Sequence, residues 1–142
     1  MRRYLVVANQ TLAAGQLERS VRGCMAAGPC RFHIVVPATP PKDHLTWVEG
    51  DAMAIARERL DRALEWFHEI GAEVHGTVGD ARPLLAIGDA LRDQPFDEII
   101  LSTLPAGVSR WLRMDLPSRV RAAFDLPVSH VVSAPEPTGS RS

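Results

Sequence analysis

Four arginines, Arg110, Arg113, Arg119 and Arg121, crowd one stretch of the sequence, and Asp115 is the single acid among them. Guanidinium groups are planar forks of donors that suit phosphate or carboxylate. Two arrangements are open to them. They can build an anion site from side chains, or one or two can pair with Asp115 while the rest are solvated on a helix face. Just upstream, Ser102 and Thr103 close an apolar run, where their hydroxyls are placed to bond a ligand. As nucleophiles they have no assignable histidine–carboxylate partner in the sequence, and there is no G-x-S-x-G elbow. Walker-type G-x4-G-K-[ST] and dinucleotide G-x-G-x-x-G motifs are both missing.

The other reactive side chains point to packing more than to chemistry. His33, His75 and His130 fall on expected strands that are not all neighbours, without HxH or HxxxH spacing, so they read as core or edge histidines and not as metal ligands. His44 and His68 read as surface residues on a loop and a helix. Cys24 and Cys30 lack CxxC spacing and read as reduced, structural thiols. Trp47 and Trp111 belong to loops at the ligand-facing end, where they either fill space or stack on a ring. Trp66, beside Phe67, is suited to covering a sheet or dimer surface. Asp97-Glu98 reads as a solvated pair at a turn.

These residues are carried by alternating strands and helices. Tyr4–Ala8 is the first expected strand, and Leu12–Ala27 follows with Leu17, Val21, Cys24 and Met25 on one helical face. Gly28-Pro29 stops that helix. Phe32–Val36 is a nearly continuous apolar strand, the pattern of one covered on both faces. A proline-bearing loop, Pro37–Gly50, leads through a Thr46-x-x-Glu49 capping box into the longest helix, ending near Gly71. Glu73–Val78 is more polar and is expected at a sheet edge. Gly79-Asp80 turns the chain into a helix begun by Pro83. Glu98–Leu101, a short helix over Ser118–Phe124 and Val128–Val132 complete the series.

Strand–helix alternation of this kind predicts parallel pairing with right-handed crossovers, in a doubly wound α/β sheet of about five strands. Ligands of such sheets sit beyond the carboxyl ends of the strands, here Ala8–Thr11, Val36–Thr39 and Ser102–Gly107. With 142 residues and no internal repeat, residues 1–133 read as one domain and 134–142, rich in Pro, Ser and Gly, as a disordered tail. A formal charge of −1 gives no pull toward nucleic acid, and no apolar run is long enough to span a membrane. The apolar run after Arg2-Arg3 is shorter than a secretory core, so the protein is expected in the cytoplasm.

Three segments, in this order and spacing, resemble the universal stress protein family as far as Val132. The first strand ends in Asn9, where the family usually has aspartate. Val78-Gly79-Asp80 with Pro83, Ile87 and Ala90 is similar to its strand–Gly-Asp–helix passage. Phe96 to Thr103, followed by Leu126-Pro127-Val128, resembles its last two strands. The resemblance implies a Rossmann-like, three-layer fold of the adenine-nucleotide α-hydrolase type with strand order 3-2-1-4-5. It also implies a stress-response role and a homodimer joined through the last strand, here Val128, Val131 and Val132.

Members of that family that bind ATP carry G-x2-G-x9-G-[S/T] after the fourth strand. The same spacing here meets Ser102, Pro105, Asp115 and Leu116, while Gly107 is out of register. Proline removes a donor and fixes φ. An aspartate at the start of the last helix is expected to cap it and to repel an anion. Pro117 deletes another N–H from the first turn. ATP and AMP are therefore disfavoured and no cofactor is expected. The expectation is a non-enzymatic regulatory domain, the alternative being a nucleotide- or other small-anion-binding protein that uses an arginine-lined site in place of the glycine loop. The candidate site for it is Asn9, Val36, Ser102, Thr103, Arg110, Arg113 and Asp115.

Overall fold

A computed structural model describes residues 1–8, 15–38, 49–104 and 109–132, with Glu49, Gly50, Asp51, Arg110 and Arg113 described by their backbone. The elements are β1 (Arg2–Val7), α1 (Gly15–Ala27), β2 (Cys30–Pro37), α2 (Glu49–Glu69) and β3 (Val74–Gly79), then α3 (Pro83–Asp93), β4 (Glu98–Thr103), α4 (Arg110–Arg113), α5 (Leu116–Ala123) and β5 (Val128–Val132). The strands form one parallel sheet in the order β3-β2-β1-β4-β5, as the alternation predicts.

Two apolar layers sandwich this sheet, and the strands' period of two divides residues between them. Tyr4, Val6, Phe32, Ile34, Val36, Val74 and Ile100 face α1 and α2. Leu5, Val7, Val35, Ile99 and Leu101 face α3, α4 and α5. β1 lies in the middle, so Leu5, Val6 and Val7 are all fully buried and no polar alternation is possible there. Phe32 ties the first layer together, stacked on Tyr4 with ring centroids 5.4 Å apart and edge-on to Phe67 at 5.5 Å.

β3 is an edge strand, as its polar sequence predicts. Its glycines serve close packing. A Cβ on Gly79 would lie 2.8 Å from the Ala86 Cβ and 3.1 Å from Val35, and one on Gly76 would lie 2.5 Å from Leu60. The Val78-Gly79-Asp80 passage thus lets α3 dock directly against the end of β3. Asp80 then holds the turn, its Oδ1 accepting from the Arg82 amide at 2.8 Å. At the far end of α2, Gly71 takes the left-handed φ of 87° that closes the helix.

The sequence reading departs from the structure at the last crossover. A single helix over 118–124 is replaced by two short ones, α4 and α5, and β4 continues through Thr103. Ser102 and Thr103 are therefore strand residues inside the sheet, not loop residues. Thr46, Trp47, His44, the start of the first predicted helix at 12–14 and the tail 134–142 lie outside the described residues.

Candidate functional site

The carboxyl ends of β1, β2 and β4 bring Ala8, Val36, Ser102 and Thr103 to one end of the sheet. Asn9 lies outside the described residues. Val36 is fully buried in the α1–α2 layer, with its side chain committed to packing. Ser102 and Thr103 are buried at 1% and 2% exposure. Being consecutive in a strand, they point to opposite faces: Ser102 shares the face of Ile100 toward α1, and Thr103 that of Leu101 toward α5.

Thr103 has a histidine partner after all. Its Oγ1 lies 2.8 Å from Nε2 of His130 on β5. The β4–β5 register, with Leu101 beside His130 and Thr103 beside Val132, produces this diagonal contact. Burial, and then the charge of Arg121, hold the His130 imidazole below its ordinary pKa. In a neutral ring Nε2 accepts from the threonine hydroxyl when the ring proton is on Nδ1 and donates to its oxygen when the proton is on Nε2. Among the described residues no carboxylate is bonded to that ring, so no orienting acid of the kind a hydrolytic triad uses is present there. Among the described residues no group of three His, Cys, Asp or Glu could hold a metal ion.

Beyond β4 the chain is fixed by Ser109, whose buried Oγ accepts from the Leu112 amide at 3.1 Å and caps α4. Trp111 follows at 8% exposure, packed in the layer with Leu5, Val7, Leu101 and Leu116. It fills space, which decides between the two roles open to it. Trp66 also packs, edge-on to Phe67 at 4.8 Å.

Asp115 joins α4 to α5. It occupies the N-cap position of α5 but with φ 55° and ψ 45°, and its carboxylate makes no capping bond. The expected self-capping is thus corrected. A cap side chain reaches the first-turn amides from an extended backbone, and a left-handed one aims it elsewhere. Among the described residues Asp115 bonds through its main chain, its N–H to Leu112 and its carbonyl from Arg119, each at 3.1 Å. The side chain is exposed. Arg119 and Arg121 are exposed on α5, with Arg121 reaching the Val128 carbonyl at 3.5 Å. Among the described residues neither arginine is ion-paired with Asp115.

No protein-family model matches the sequence, and no curated protein matches it. Solved structures do. A universal stress protein from Archaeoglobus fulgidus superposes with a TM-score of 0.59 at 14% identity, covering 92% of this chain and 93% of that one. The fold is that of the universal stress proteins. GalB, the 4-carboxy-2-hydroxymuconate hydratase from Pseudomonas putida KT2440, is similar at a TM-score of 0.48 and 16% identity, with 95% of this chain and 63% of that chain covered. That superposition is too loose to bear on function.

Asp115 is the one non-glycine residue with positive φ among the described residues, a backbone conformation that glycine adopts freely. Pro105 and Gly107 lie outside the described residues. Sequence reasoning missed Ser109 and the His130 contact. A serine ahead of Arg110 is a cap signal that was legible, whereas the histidine contact depends on strand register.

Proposed function

We propose that the protein is a universal-stress-protein-like regulatory domain of the stress response, non-enzymatic, acting as a homodimer joined through β5 and not taking ATP through a glycine loop. The observation that carries this reading is the α4–α5 junction. An exposed carboxylate stands at a left-handed position ahead of Pro117, where nucleotide-binding relatives present glycine and free amides. The packed Trp111 supports it by filling space on the α5 side of the sheet. Millimolar ATP, AMP and cyclic AMP are expected to leave the melting temperature unchanged and to give no heat in calorimetry. A clear upward shift with any of them would overturn the reading.

A second reading has one observation in its favour. Arg119 and Arg121 project from α5 without an acidic partner among the described residues, next to the segment bearing Arg110 and Arg113. They suit a small anion held by side chains. Stabilisation by a nucleotide that disappears in Arg113→Ala would select this reading over the first.

A further inference from the structure

We propose that the open edge of β3 is a docking site for an extended basic peptide, which adds to the sheet as a sixth strand and sends lysine or arginine side chains into the groove between β3 and α3. This site lies at the opposite edge of the sheet from β5 and is lined by different residues from those around Asp115.

The backbone offers the first half of the site. β3 ends the sheet, and its six residues pair with β2 in unbroken register from Phe32–Val74 to Pro37–Gly79. The carbonyls of Glu73 and Gly79 accept from Phe32 and Ala38. By the strand's period of two, the peptide groups of Val74, Gly76 and Val78 therefore face the open edge. Natural edge strands are shielded by lysine, proline or a bulge. β3, Val-His-Gly-Thr-Val-Gly, has none of these.

The side chains offer the second half. A groove of about 410 Å³ runs beside this edge, with Val35, Gly79, Ala86 and Ala90 among its lining residues. The closeness of Gly79 and Ala86 that docks α3 also shapes this trough. Its polar lining is His33, Thr77, Asp80, Asp89, Asp93 and Gln94. His33 donates to or accepts from Thr77 at 3.3 Å and is held below its ordinary pKa, by burial first and then by His75. The groove therefore gains no positive charge from that ring at neutral pH. Asp80 and Asp89 are bonded by Arg82 and Arg92, both largely exposed. Such solvated pairs are weak, and an incoming cation can replace either arginine. Asp93 has no ion-pair partner among the described residues.

Strand addition draws affinity from main-chain bonds and specificity from alternate side chains. A strand laid along β3 presents every second residue to the α3 side, where Asp93 selects a cation and Asp80 and Asp89 exchange their solvated arginines for one from the peptide.

The test uses the full chain and three synthetic probes. The basic probe is acetyl-Thr-Lys-Val-Arg-Val-Lys-Thr-amide, the acidic one replaces Lys and Arg by Glu, and the third is the basic peptide N-methylated on alternate residues, made in both registers. Saturable binding of the basic peptide is expected, with amide shifts confined to 74–79 and α3. The acidic peptide should not bind. One N-methyl register should lose binding while the other keeps it, because only one set of amides faces β3. The double substitution Asp89→Asn with Asp93→Asn should weaken binding by about tenfold at unchanged melting temperature. Equal binding of both N-methyl registers would mean charge attraction alone and would overturn strand addition. So would shifts elsewhere, indifference to peptide charge, or β3 shifts that follow protein concentration without peptide, which would assign the edge to a second copy.

Discussion

Gly79 shows how one missing side chain sets the distance between a strand and a helix. The atom that a Cβ would meet, 2.8 Å away, is the Ala86 Cβ, fixed to the α3 backbone and unable to rotate aside. Gly79→Ala should therefore push α3 outward and destabilise the fold by about 1–3 kcal/mol, the range of core overpacking, measured by chemical denaturation. At Gly76 the obstructing atom is the end of the Leu60 side chain, which makes the corresponding change the milder of the two. The histidines predict a pH dependence. His33 and His130 both titrate below the ordinary 6.5, chiefly through burial. The unfolded chain then binds more protons just below that value. Their contribution is complete above pH 6.5 and declines as pH falls toward the folded-state values. Melting temperatures should drop between pH 7.5 and 5.5, and His33→Gln should flatten that slope.

At the scale of elements, the junction of α4 and α5 is the place where local sequence and local structure disagree. Asp115 holds φ 55° without the compensation of a capping bond. Left-handed backbone is costly for residues with a Cβ, less so for aspartate, and free for glycine. Asp115→Gly should stabilise the protein by about 0.5–1 kcal/mol despite the greater flexibility of glycine in the unfolded chain, read as a modest rise in melting temperature. The strands and long helices were legible because apolar runs and 3.6-residue periodicity report burial directly. The polar sequence of Glu73–Val78 likewise announced an edge. A helix start near Asp115 was anticipated, but the four-residue α4 ahead of it was not legible, and the left-handed turn between the two is visible only as a dihedral. The Thr103–His130 contact escaped for a different reason: the two residues are 27 apart, and only the pairing of Thr103 with Val132 sets them side by side. The groove beside β3 was equally hidden, because its lining comes from β2, β3 and α3 at once.

At the scale of the whole molecule, the sheet order decides what is left uncovered. Among the described residues no helix is long and apolar enough to cross a membrane, and the two edge strands of the sheet are β3 and β5. Val132 is one of four large apolar side chains left well exposed among the described residues, and it ends β5, whose Val128 and Val131 are each half-covered from opposite faces. Pairing through β5 should give a dimer mass by light scattering, and Val132→Pro, which removes a main-chain donor from the outer side of that strand, should shift the population to monomer.

Because every strand in the sheet points the same way, the two edges are not equivalent partners. Joining β5 of one copy to β3 of the next would preserve direction and propagate without end, whereas two β5 strands related by a two-fold axis meet antiparallel and close after a single step. A closed pair of this kind buries both β5 edges and carries its two β3 grooves at the outer ends of a continuous sheet. Whatever docks on β3 then meets a bivalent surface with a fixed span, and a target holding two basic strands the right distance apart would be retained far longer than one holding a single strand.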